Sequence, residues 1–328
     1  MGNDKIWVGF DLGGTKMQVK AYGADFKELG GKRRKTKGKG AESQKAGLER
    51  MVETIEELLA EIGVSHERLA GIGVGCPGPL DAEAGVVLSA PNLGWKKAPV
   101  KKVLEGAFGC PAAIVNDVDS GTYGEYLFGA GKGSRCLLGV FPGTGIGGGC
   151  VYEGQILRGR SCSVLEIGHM QVQPDGPLCG CGRQGCLEAV ASRVAIAAAA
   201  VSAAFRGEAP RLLELAGTDL AQVRSNTLVE AIEAGDVVVE RIVRQAARWI
   251  GVAVGNAVNL LGPDTVVLGG GLVEAMPGIF LKEVTASASS RVMPSFRGTF
   301  QTVEAKLGDD ATVLGAAGWV REAVQGRR

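Results

Sequence analysis

Apolar residues occupy both faces of the first segment, Lys5-Ile6-Trp7-Val8-Gly9-Phe10-Asp11-Leu12, which predicts a central strand over 5–12. A Gly13-Gly14 turn leads into a second strand at 17–23, so the two form a hairpin. From 41 to 62 the apolar positions Leu48, Met51, Val52, Ile55, Leu58, Leu59 and Ile62 recur at three and four, the period of an amphipathic helix. Strands are predicted at 70–76, closed by the stiff turn Cys76-Pro77-Gly78-Pro79, and at 85–88. A helix at 97–107, a buried strand at 112–115 that stops at Asn116-Asp117, and a helix at 118–128 follow. Strand 135–141 then enters Gly143-Thr144-Gly145-Ile146-Gly147-Gly148-Gly149, and a strand at 150–153 leaves it. The plan of strand, Gly-rich turn and strand thus occurs twice, which implies two similar α/β halves. Helices at 190–206 and 236–261, a strand at 264–268 running into Gly269-Gly270-Gly271 and a helix, and a last helix at 312–325 complete the pattern. The last helix is expected to pack back on the first half.

A chain of 328 residues is long for one core and suits two domains. The division expected is a small α/β domain of residues 1–117 with the C-terminal helix 310–328, and a large α/β domain of 118–309. The net charge of +1 argues against nucleic acid held by bulk charge. The basic run Lys32, Arg33, Arg34, Lys35, Lys37 and Lys39 could meet nucleic acid or polyphosphate, but in a neutral chain it reads as a solvated strand end and loop. No apolar run reaches the ~18–20 residues of a membrane span. Asp4 and Lys5 before a short apolar run do not make a signal peptide, and Ile6 breaks the myristoylation pattern after Gly2. Cysteines standing singly in apolar strands, such as Cys136 and Cys150, read as reduced small hydrophobes. A soluble cytoplasmic protein is expected, without membrane or nucleic-acid partner.

Candidate chemistry concentrates in 162–188. His169, Cys179, Cys181 and Cys186 offer one imidazole and three thiols, a Cys3His set suited to a closed, structural zinc site. Gly180, Gly182 and Gly185 would let the chain turn tightly enough to bring the sulfurs together. Glu166 and Glu188 bracket the cluster. Buried core thiols are the plainer alternative, though so much glycine is poor core material, and Cys179 and Cys181 lie too close in sequence to pair comfortably as a disulfide.

Three further turns could approach a nucleotide. Asp11-Leu12-Gly13-Gly14-Thr15-Lys16 sets a carboxylate beside bare backbone, so that phosphate oxygens could reach main-chain amides while Asp11 faces the accompanying metal. Gly143, Gly145 and Gly148 satisfy Gly-x-Gly-x-x-Gly, but the strand-like Cys150-Val151-Tyr152 after them excludes a dinucleotide site, leaving a second phosphate-cradling hairpin. Gly269-Gly270-Gly271 could let an adenosine lie on backbone, or be a simple strand-to-helix turn. Asp117, at a strand end, could take a proton from a sugar hydroxyl, or cap the helix from 118.

Asp11 to Lys16, Asn116-Asp117 with Gly124-Glu125, Gly143 to Gly149, Glu166-Ile167-Gly168-His169 and Cys179-x-Cys181-x4-Cys186-Leu187-Glu188 stand in one order and spacing. In these the chain resembles the ROK family (repressors, open reading frames, kinases) over nearly its whole length, and its bacterial glucokinases most. The resemblance implies an actin-like ATPase fold of hexokinase type, with two α/β domains around a central cleft, and ATP-dependent phosphorylation of a hexose with ATP, Mg²⁺ and a structural Zn²⁺. It implies Asp117 as the base for the sugar 6-hydroxyl. It implies Asn92 in Pro91-Asn92-Leu93, Asn116, Asp117, Glu166, His169 and Glu188 as sugar ligands. Asp11, Gly13, Gly14, Thr15, Lys16, Gly143, Thr144, Gly145 and Gly270 would serve the nucleotide. His169 would do double duty, one ring nitrogen on zinc and the other toward the sugar.

Val118-Asp119-Ser120 after the base and Phe141-Pro142 before the second turn depart from the family's usual residues. D-glucose is the expected sugar, with N-acetylglucosamine, N-acetylmannosamine, mannose, fructose or allose as alternatives, polyphosphate as an alternative donor, and a homo-oligomer, dimer or tetramer, as the assembly. Family repressors carry a helix-turn-helix domain before the first motif, which here begins at residue 11, so a sugar-responsive regulator is the distant alternative.

Overall fold

The computed structural model describes residues 5–36, 41–159 and 164–326. Lys37 and Lys39 of the basic run, and Cys162-Ser163 at the head of the metal segment, lie outside the described residues. In chain order the elements are β1 (Ile6–Leu12), β2 (Lys16–Tyr22), β3 (Glu28–Lys35), α1 (Ala41–Glu61), β4 (Leu69–Cys76), β5 (Leu80–Asp81), β6 (Val86–Ala90) and β7 (Trp95–Ala98). Then come α2 (Val100–Phe108), β8 (Ala112–Asn116), α3 (Asp117–Phe128), β9 (Cys136–Pro142), β10 (Ile146–Tyr152), β11 (Gln155–Ile156), α4 (Leu187–Ala191) and α5 (Arg193–Phe205). The chain ends with α6 (Pro210–Ala216), α7 (Ser225–Glu233), α8 (Val237–Leu261), β12 (Thr265–Leu268), α9 (Gly271–Ala275), α10 (Pro277–Ser289), β13 (Gln301–Glu304) and α11 (Ala311–Gln325).

Two compact units divide the chain. One takes Met1–Lys132, Gly154–Val164 and Asp309–Arg328; the other takes Gly133–Glu153 and Leu165–Gly308. The first unit thus runs past the boundary expected at residue 117, because α3 packs along α11 and against β4.

The first unit is built on a sheet of order β3-β2-β1-β4-β8, antiparallel from β3 to β1 and parallel from β1 to β8. Ile6, Val8, Phe10 and Leu12 of β1 join the core beneath α1 and α2, while Trp7 joins Ala317 and Val320 of α11. That is why β1 lacks a polar face. Helix α11 lies on the sheet at backbone distance: a Cβ at Gly9 would stand 1.9 Å from the Val313 carbonyl oxygen, and one at Gly73 would stand 1.8 Å from that of Ala316. Only glycine leaves room for this approach.

Lys32 to Lys35 are the end of the edge strand β3, with Arg34 opposite Met17 and Lys35 opposite Lys16, in keeping with the strand end expected of the basic run. The helix expected from 97 opens at Val100, because Trp95 and Ala98 pair with Ala90 and Val87 in a small β5-β6-β7 sheet.

In the second unit the strands run β10-β9-β12-β13, a hairpin followed by two parallel strands. This reproduces the β2-β1-β4-β8 arrangement, so the repeated sequence plan is a repeated topology. Strand β10 begins at Ile146, earlier than the 150–153 expected, because Gly147, Gly148 and Gly149 pair with Phe141, Val140 and Gly139. The turn is therefore only 143–145. The helix expected over 190–206 is broken at Ser192, whose hydroxyl caps α5 by accepting the Ala195 amide. Val243, Ala247, Ile250 and Val254 of α8 are fully buried in the core of this unit, together with Phe280 and Val284 of α10.

Candidate active site

In the first unit, Asp11 is the last residue but one of β1 and Asp117 opens α3. Between them runs β4, with Gly75 in register with Asp11 and its own ideal Cβ position 3.6 Å from the Asp117 Cα. Burial pushes the Asp11 carboxyl up to about 7, repulsion from Asp117 and Asp309 adds to this, and Arg33 opposes it. Asn116 is the N-cap of α3, and its Oδ1 accepts the amides of Val118 at 2.9 Å and Asp119 at 3.2 Å. The capping task considered for Asp117 thus belongs to Asn116, and the helix starts at Asp117 rather than 118. Asp117 Oδ1 meets the Val118 amide at 3.0 Å.

Gly13, Gly14 and Thr15 form the turn of the β1–β2 hairpin, with Gly14, Thr15 and Lys16 exposed. Thr36 braces the turn, its hydroxyl donating to the Gly13 carbonyl at 2.9 Å and its amide to that of Thr15 at 2.9 Å. Asn92 is exposed in the turn between β6 and β7, its Cβ 3.2 Å from where a Gly14 Cβ would be. This unit therefore gathers Asp11, the first Gly-rich turn, Asn92, Asn116 and Asp117.

The second unit carries the remaining candidates. The 143–145 turn is closed by the Gly143 amide on the Gly145 carbonyl at 2.8 Å. Glu188 Oε2 accepts the Ile146 amide at 2.9 Å, and a Cβ at Gly145 would lie 2.4 Å from that oxygen. Arg193 donates its amide to the Gly143 carbonyl at 2.9 Å and Nη2 to the Thr144 hydroxyl at 2.9 Å. Gly270, at φ +80°, caps the short α9, and a Cβ there would lie 2.8 Å from the Pro142 carbonyl oxygen. Glu166 is exposed at the entry to a single 3₁₀ turn, Ile167–His169.

His169, Cys179, Cys181 and Cys186 come together with all four donor atoms within 4.8 Å of one another. His169 Nδ1 is 3.6 Å from Cys179 Sγ, and Cys181 Sγ is 3.6 Å from Cys186 Sγ. Backbone pairs Cys179 to Arg183 and Leu187 to Met170 close the loop, and Gly182 and Gly185 turn it at φ +86° and +71°. Gly180 takes no such conformation, so two of the three glycines serve the turns expected of them. Arg183 donors pull the Cys181 thiol down to about 6. Burial and the two neighbouring thiols push Cys186 up to about 11. Three thiols this close cannot all ionise without a cation among them, and the four donors could hold one metal ion.

The ROK family model matches residues 7–323 of this chain. The chain belongs to the ROK family. It is 34% identical to the glucokinase of Thermotoga maritima over 97% of its own length and 98% of that protein's. A ROK glucokinase from Streptomyces griseus, solved with glucose and AMPPNP, superposes with a TM-score of 0.80 at 31% identity, covering 97% of this chain and 99% of that one. Regulators are also among the relatives: a putative xylose repressor of Caldicellulosiruptor is 31% identical, over 85% of this chain and 69% of the repressor. As a ROK protein the chain has the actin-like ATPase fold, and its paired sheets are that fold's repeated halves.

Three features beside these candidates were not legible in the sequence: in the first unit, Gly75 between the two carboxylates; in the second, the grip of Glu188 on Ile146 and that of Arg193 on Thr144. The Arg193 contact could have been suspected only from its position at the first turn of a capped helix.

Proposed function

We propose that this ROK protein is a cytoplasmic, ATP-dependent hexose kinase whose preferred sugar is D-glucose, with Asp117 as general base. One observation carries the reading most: Asp117 opens α3 with its helix capped by Asn116, in the same unit as the Gly13–Lys16 turn and Asp11. The end-to-end likeness to glucokinases supports it.

Phosphoryl transfer asks a protein mainly for positioning and charge stabilisation. In this reading Asn92, Asn116, Glu166, His169 and Glu188 hold sugar hydroxyls. Asp117 accepts the proton of the 6-hydroxyl as its oxygen attacks the γ-phosphate. Amides of Gly13 to Lys16, Thr144 and Gly145 meet the phosphates, the Gly143 amide being held by the Gly145 carbonyl, and Gly270 lies by the adenosine. Mg²⁺ bound with the nucleotide would offset phosphate charge, and Asp11 is the carboxylate that would face it. Glu188 has one oxygen engaged by Ile146, which leaves Oε1 for the sugar.

A structural zinc fits the four donors. Zinc–sulfur bonds of about 2.3 Å and zinc–nitrogen bonds of about 2.0–2.1 Å give tetrahedral edges of roughly 3.5–3.8 Å, and two of the edges here are 3.6 Å. With Nδ1 among the sulfurs, His169 Nε2 is left for the sugar. ATP is favoured over polyphosphate because three cations of the basic run already have carboxylate partners: Lys32 pairs with Glu57 and Glu61, Arg34 with Glu57 and Glu53, and Arg33 with Asp309.

The test is a panel of hexoses and N-acetylhexosamines against ATP and polyphosphate, read by sugar-phosphate formation. The highest kcat/KM on glucose with ATP is expected. Preference for another sugar or donor would replace that part of the reading, and no phosphorylation together with specific DNA retention in a gel shift would overturn it.

A further inference from the structure

We infer that Arg193 is a positioning residue of the second Gly-rich turn, fixing Gly143-Thr144 in the form that receives nucleotide phosphates. The identity of the ligand rests on the kinase reading above; the fixing of the turn does not.

Arg193 is the first residue of α5, whose N-cap Ser192 is buried and bonded to Ala195. From that fixed point it grips the turn twice, through its amide to Gly143 and through Nη2 to Thr144. Its Nη1 extends to the Val223 carbonyl at 3.5 Å, at the far edge of hydrogen-bond reach. Five residues earlier in the chain, Glu188 holds the other end of the turn at the Ile146 amide. A turn of only three residues, 143–145, is thus clamped at both ends by the segment that follows Cys186.

The bond polarity gives the clamp a chemical consequence. A guanidinium has donors only, so the Thr144 hydroxyl must accept from Arg193. The hydroxyl proton is then free to turn toward an acceptor, and Thr144 is exposed. Arg193 therefore presets Thr144 as a donor to an anion. It also spares the turn the entropy of ordering when the anion arrives.

The experiment uses the full chain as wild type, Arg193→Met, Arg193→Gln, Thr144→Val and the Arg193→Met/Thr144→Val pair. Calorimetry reads the Kd of a non-hydrolysable ATP analogue and of glucose, and hydrogen exchange reads the 143–147 amides. Arg193→Met is expected to weaken analogue binding about tenfold, the loss of one charge-assisted hydrogen bond, while glucose binding shifts less than twofold and exchange rises at 143–147. Arg193→Gln, neutral but still a donor, should recover part of the affinity. The double variant should bind no worse than Thr144→Val, because Arg193 acts through that hydroxyl. Unchanged analogue affinity, equal loss of both affinities, or additive losses in the double variant would each overturn the inference. Should Arg193→Met not fold, the Thr144→Val and Arg193→Gln measurements decide by the same criteria. A wild type that binds the analogue but phosphorylates no hexose would remove the proposed function and leave this inference standing.

Discussion

Asn116 Oδ1 accepts the Val118 amide at 2.9 Å, and this bond sets where α3 begins. The cap makes Asp117 the first helical residue, with its carboxylate at the positive end of the helix dipole. Replacing Asn116 by Ala should cost about 1 kcal/mol of stability, the usual worth of an N-cap, together with most of the activity. Asn116→Ser should return the stability but not the sugar affinity, since Ser caps as well as Asn yet lacks the amide proposed to meet a hydroxyl. Denaturant unfolding and glucose titration of the two variants check this.

Asp11 makes stability pH-dependent in a direction opposite to that of a salt-bridged carboxylate. Its ordinary value is 3.8 and its folded value about 7, so between these the folded chain holds the extra proton. Stability from this group therefore falls as pH rises through that window, and the cost is complete above it. Asp11→Asn should match wild type in melting temperature near pH 4 and exceed it increasingly up to pH 7.5. Melting curves with a constant gap across that range would contradict the assignment.

Metal removal should act on the sugar side first. His169 lies within the metal set and Glu166 at the turn leading into it, whereas the 143–145 turn keeps its hold on α5 through Arg193. Elemental analysis should find one zinc per chain. A strong chelator, or Cys181→Ser, should raise hydrogen exchange over 169–187 and weaken glucose more than ATP. Equal loss of both affinities is the contrary result.

Much of this was legible in the sequence where one residue pattern has one physical meaning. Strand β1 is apolar on both faces because α11 covers one and α1 and α2 the other, and the two Gly-rich hairpins announced the repeated topology. The four metal-ligand candidates needed no fold to be recognised, since their types and spacing suffice. Legibility failed where a residue's partner is distant in sequence. Gly147 to Gly149 belong to strand β10 rather than to the second Gly-rich turn, and Gly9 and Gly73 serve a helix packing that no local pattern announces. Lys32 to Lys35 look like a solvated run until Glu53, Glu57 and Glu61 of α1 come opposite them. Arg193 and Glu188 reach back more than forty residues to the turn they hold, and no local period signals that.

The most direct measurement is the turnover of Asp117→Asn with glucose and ATP, set beside glucose binding by the same protein. Loss of a positioned general base costs about 10²–10⁴ in rate, and the account predicts a fall in kcat of that size with glucose still bound at a measurable Kd. Turnover within a few fold of wild type would contradict it.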